Sequence, residues 1–179
     1  MGQIAVAQPV SDHAVIPVAV TIQSVLRLNI RSGGTIEFVF NNVDAITNGI
    51  PNSPAYDTRF DIAATQNWDL FIGTEDAFLT SDEGVDIPVD HIALYVDGDI
   101  LANRTSSTNY AAPDVLQLGP IALLELDAAL GSSNVGIPSD NEFTIHWSCG
   151  DNATTGATAM TGTNPGRYTV NVYLSLQAH

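Results

Sequence analysis

Ile16-Pro17-Val18-Ala19-Val20-Thr21-Ile22-Gln23-Ser24-Val25-Leu26-Arg27-Leu28-Asn29-Ile30 alternates along its whole length. Seven of its eight even positions are apolar, Ser24 being the exception, while the odd positions are mixed. A helix gathers residues three or four apart onto one face, so a spacing of two predicts a pleated strand. At about 3.3 Å per residue the stretch would reach roughly 50 Å, against about 20 Å for a usual strand. Either the chain bends near Ser24 or the first part leaves its own domain. Residues 1–22 are therefore read as an N-terminal extension or exchangeable strand, and residues 23–179 as the folded domain.

The same period continues downstream. Ser32-Gly33-Gly34 predicts a turn into a strand over 35–41, with Ile36, Phe38 and Phe40 on one face. Strands are expected at 60–64, 68–72, 87–96, 115–118, 121–126 and 142–147. The acidic stretch 74–86 reads as loop or a short helical turn around Ala77-Phe78-Leu79, and Asp97-Gly98-Asp99 as a tight hairpin. From Gly166 the pattern is cleanest, with Tyr168, Val170, Val172, Leu174 and Leu176 on one face of a strand over 167–177. The fold class is all-β: an antiparallel β-sandwich, jelly-roll or pilin-like, of eight to ten strands.

Charge narrows the partners. The chain has 179 residues, 20 acids and 5 basic residues, all arginine, for a net charge of −15. Such a surface repels phosphate backbones, which excludes nucleic acid as a partner, and disfavours anionic membranes. No run of 18 apolar residues is present, so no membrane-spanning helix is expected. Ala5-Val6-Ala7-Gln8 has the small-x-small form of a signal-peptidase site, with too few residues before it for an apolar core. The expectation is that the numbering starts either after a removed secretion signal or at an expression scar.

Candidate chemistry is sparse. Calcium needs six to eight oxygens converging from loops, and Glu75, Asp76, Asp82, Glu83 and Asp86 are the candidate ligands. Solvation of an acidic loop is the favoured reading of the same residues, and no other cofactor is implied. Trp68 and Trp147 are the candidate sugar-stacking ligand residues. Their parity with Leu70 and Ile72, and with Phe143 and Ile145, favours the core instead. His146, Ser148 and Cys149 invite a nucleophile–base assignment, but no third group or oxyanion site is identifiable. Cys149 is the single cysteine, which excludes an intrachain disulfide. The chain is not expected to be an enzyme.

The end strands carry the strongest signal. An extended segment can complete another subunit's sheet, its main chain giving affinity and its alternate side chains filling pockets. The candidate assembly strand is Ile16, Val18, Val20, Ile22 and Leu26. Five buried apolar side chains at roughly 1.5–3 kcal/mol each supply on the order of 10 kcal/mol as an upper value.

The closing run Pro165-Gly166-Arg167-Tyr168-Thr169-Val170-Asn171-Val172-Tyr173-Leu174 resembles the P/G-x-Y-T-V-x-V strand of bacterial secreted β-sandwiches. These include the spore-coat-U/fimbrial-type and WxL-like surface domains. The opening alternation over 18–30 is similar to their first strand, and Asn67-Trp68-Asp69-Leu70 is similar to the W-x-L motif. A second W-x-L and the paired cysteines of pilins are absent. The resemblance implies a cell-surface, fimbrial or matrix role. The expected function is an extracellular structural subunit of a filament, pilus or surface layer, with itself as partner. The alternative is a carbohydrate-binding module or adhesin.

Overall fold

The computed structural model describes residues 17–98, 105–107, 109–127, 129 and 133–179. Among them are twelve strands: β1 (Leu26–Ser32), β2 (Asp57–Ala64), β3 (Trp68–Thr74), β4 (Phe78–Ser81), β5 (Ile87–Pro88), β6 (Ile92–Gly98), β7 (Thr105–Ser106), β8 (Asp114–Val115), β9 (Ile121–Leu126), β10 (Glu142–Cys149), β11 (Tyr168–Thr169) and β12 (Val172–Ala178). Two short helices, α1 (Val43–Asn48) and α2 (Asn152–Thr155), interrupt the loops.

The strands form two facing layers. One is ordered β1-β2-β10-β6-β8 and the other β12-β3-β9-β7, with every strand pair antiparallel. Pleating sends alternate residues inward, so Phe60 and Ile62, Leu94 and Val96, and Phe143, Ile145 and Trp147 cover the inner face of the first layer. Trp68, Leu70, Ile72, Leu123 and Leu124 cover the second. Phe143 stacks on Phe60 and meets the edge of Trp68 across the interlayer space. The fold is the all-β antiparallel sandwich that the alternation predicts.

A third sheet, β11-β4-β5, has a small core of its own in Leu79, Ile87 and Val89, flanked by Met160, Tyr168 and Val170. It corrects three expectations. The stretch 74–86 holds a strand, β4, because Leu79 joins that cluster and pairs opposite Ile87. The expected strand 87–96 is split into β5 and β6 by a single 3-10 turn at Val89–His91. The expected closing strand is split at Val170-Asn171, because Tyr168 and Thr169 pair with β4 while Val172 onward pairs with β3.

The segment 35–41 is also corrected. Ile36, Phe38 and Phe40 are half-buried and their neighbours exposed, as the alternation requires, but the backbone forms no strand. Ile36 and Phe38 pack against the main core, and Phe38 also packs on Tyr56, but the segment joins no ladder. The turn before it is fixed by Gly33, whose φ of +70° is a left-handed conformation and whose missing side chain admits the Asp57 carbonyl. The expected Asp97-Gly98 hairpin falls at the end of β6, and Asp99 lies outside the described residues.

Candidate functional site

Among the described residues, the part of the extension that is described, 17–22, pairs with no strand. Residues 17–25 form no strand, and Val18, Val20 and Ile22 are 84%, 82% and 86% exposed. Ile16 lies outside the described residues. The sandwich takes hold at Val25, whose carbonyl accepts from Thr65 N–H at 2.9 Å and whose N–H donates to Thr65 Oγ1 at 2.7 Å. Of the candidate assembly residues, only Leu26 belongs to a strand, and it packs half-buried against the core.

That extension leads into one of the four edges that the two facing layers have among the described residues, and the four differ. On one side of the sandwich the edges are β8 and β7, each two residues long. On the other side they are β1 and β12, each seven residues long and lying beside one another. Natural sheets blunt an edge with shortness, charge, proline or a bulge. β1 has two of these features, charge at Arg27 and Arg31 and a register shift between Ile30 and Ser32. Arg31 is held there by the buried Asp61 carboxylate, which also accepts from Asn29 and raises the guanidinium pKa. β12 has none. Val172-Tyr173-Leu174-Ser175-Leu176-Gln177-Ala178 carries no charge and no proline, and its pairing with β3 is unshifted throughout.

Hydrogen bonds at both ends of β12 set which groups its free edge presents. Asn171 carbonyl accepts from Glu75 N–H at 3.1 Å, and His179 N–H donates to Asn67 carbonyl at 2.9 Å. Antiparallel strands bond through alternate residues, so Tyr173, Ser175 and Gln177 bond to β3. Val172, Leu174 and Leu176 therefore turn their N–H and C=O groups outward. Leu174 and Leu176 direct their side chains to the core, and Val172 is 37% exposed. The closing strand thus pairs within its own chain, packs two leucines on the core and, among the described residues, forms a sheet edge.

The other candidates disperse. Trp68 and Trp147 are 0% and 7% exposed, and neither offers a ring face to a sugar. The Trp68 indole N–H donates to Asn134 carbonyl and that of Trp147 to Thr58 Oγ1. Glu75 and Asp76 line a shallow cleft with Thr80, Thr169 and Asn171, and Glu75 accepts from the Asn171 amide. Asp82, Glu83 and Asp86 lie beyond β4, where Asp86 accepts from Ser81 N–H. Among the described residues no three His, Cys, Asp or Glu side chains converge on a point that could hold a metal. β4 separates the two halves of the acidic group.

His146 bonds Asp57 at 2.7 Å and stacks on Tyr95, while Ser148 donates its buried hydroxyl to Ala93 carbonyl. The Ser148 hydroxyl is thus spent on a backbone acceptor. Burial pushes the Cys149 thiol up to about 12, far from a thiolate at neutral pH. Burial likewise raises the Tyr110 phenol to about 12. Both groups are neutral when protonated and are favoured in that form by the fold. Their contribution is complete below their ordinary values and is lost as pH rises towards 12. Denaturant midpoints are expected to hold up to about pH 8 and fall steadily above pH 9. Alkylation of Cys149 at pH 8 is expected only once the chain unfolds; rapid labelling of folded protein would contradict this.

No protein family matches the chain, and no curated protein matches it. Among the described residues no helix is long and apolar enough to cross a membrane.

Proposed function

We propose that this chain is an extracellular structural protein, a subunit of a filament, pilus or surface layer that assembles by β-strand complementation. One observation carries the reading. An extended segment with apolar residues at every second position stands fully exposed ahead of a sandwich with an unguarded edge. Exposing Val18, Val20 and Ile22 to water is unfavourable by about 1.5–3 kcal/mol each, and burial against a second subunit recovers it. The likeness of the closing strand to secreted surface domains points the same way.

The carbohydrate-binding alternative depended on an accessible tryptophan, and both tryptophans are core residues. Electron microscopy of the purified full-length chain tests the reading directly. Linear or sheet-like assemblies are the expected result. A protein that stays monomeric over a wide concentration range overturns it.

A further inference from the structure

We infer that the acceptor for the exposed N-terminal segment is the edge of β12, free among the described residues, in a second copy of the chain, joined antiparallel with Val20 opposite Leu174. This rests on the strand-complementation reading and adds the place, direction and register of docking.

The place follows from the edges. β12 is long, uncharged, continuous and unbulged, whereas β1 is guarded and β7 and β8 are two residues long. Charge is compatible as well. The chain as a whole carries −15, yet residues 14–26 and 172–178 contain no charged residue. A strand bonded to β1 and β12 at once would need them about 9.5 Å apart, two interstrand spacings. The two strands approach within 8 Å at their Cα atoms, so the incoming segment is held by one edge and not shared.

The direction follows from Pro17. For Val18, Val20 and Ile22 to face the core beside Leu174 and Leu176, an antiparallel strand turns these same residues' N–H and C=O groups towards β12. Pro17 and Ala19 then turn theirs away, and the missing N–H of Pro17 costs no bond. In a parallel strand the bonding residues would be Pro17, Ala19 and Thr21, and one bond would be lost. Antiparallel docking also matches the spacing of apolar residues, placing Val18, Val20 and Ile22 opposite Leu176, Leu174 and Val172.

Reach requires that the donor be a different molecule. Val25 is bonded to Thr65 and His179 to Asn67, so the start of β1 and the end of β12 share one end of the sandwich. Val172 lies six residues down β12, roughly 20 Å away. A segment with Ile22 at Val172 would have only Gln23, Ser24 and Val25 to climb back, and three residues span about 11 Å at most. The chain cannot dock on itself in this register.

The test uses paired cysteines in the full-length chain, where native Cys149 is buried. Ala19 falls opposite Ser175 as a pair with Cα atoms about 4.5 Å apart, within disulfide range. The variant Ala19→Cys/Ser175→Cys is expected to give a ladder of disulfide-linked oligomers on mild oxidation. A ladder from Ala19→Cys/Arg27→Cys instead would move docking to β1 and overturn the inference while leaving assembly intact. Filaments that form without either ladder overturn it equally. No filaments from the unmodified chain would remove the underlying reading.

Direction is read with a synthetic peptide of residues 16–23 added to assembling full-length protein. N-methylation at Val20 is expected to abolish its inhibition of growth, and N-methylation at Ala19 to leave it. The reverse pattern overturns the antiparallel assignment.

Discussion

Removal of residues 1–22 is expected to leave a folded monomer that no longer assembles. Of the residues removed, those described (17–22) form no strand and leave their apolar side chains exposed. The anchor between Val25 and Thr65 stays in place. The domain should therefore keep its unfolding free energy to within about 0.5 kcal/mol, as surface changes usually do. Assembly should fall below detection, because the truncated chain can accept a strand but has none to give. Mixed with the full-length protein at low ratio, it should terminate growing assemblies and shorten them. Light scattering and electron microscopy read both effects. Assembly that persists in the truncated chain would place the donor elsewhere.

The second large effect lies at Trp68. Its side chain is fully buried, and its indole N–H donates to Asn134 carbonyl at 2.9 Å. The buried Asn134 side chain binds the Trp68 backbone twice more, accepting from its N–H at 3.1 Å and donating to its carbonyl at 2.8 Å. Trp68→Ala removes a large core ring and strands this arrangement, at a cost of about 3–5 kcal/mol. Against a total stability of roughly 5–15 kcal/mol, that removes a large share of the margin, and a marked fall in the urea midpoint is expected. Asn134→Ala keeps the ring but leaves the Trp68 N–H and C=O without partners, costing about 1–3 kcal/mol for each. Urea titration followed by tryptophan fluorescence measures both. A Trp68→Ala chain as stable as the parent would contradict the clamp.

The inward residues were largely legible because pleating writes them into the sequence with a period of two. β9 spans the expected residues 121–126, and Phe143, Ile145 and Trp147 point inward on β10 as their parity requires. What period cannot supply is a partner. Residues 35–41 carry a strand's side-chain pattern with no ladder, and Leu79 sits in a strand only because Ile87 and Tyr168 come to it from elsewhere. The break at Val170-Asn171 is a change of sheet, invisible in a run whose alternation never falters.

The extension could be singled out from its length alone, since one strand of 50 Å does not fit a single domain. The edge proposed to receive it could not. That β12 is an edge, and that its apolar residues turn their backbone groups outward, depends on sheet order and on hydrogen bonds that close in space between residues distant in sequence.

The shared location of Val25 and His179 at one end of the sandwich has a consequence for symmetry. A donor that leaves from that end and finishes beside Val172, at the opposite end of its neighbour, relates successive subunits mainly by translation. The two surfaces in contact are different, so nothing closes the array into a two-fold pair. A fibre built by the proposed docking would be polar. One tip would show a vacant β12 and the other an unclaimed extension, so that growth, capping and anchoring would be separate events at chemically distinct tips.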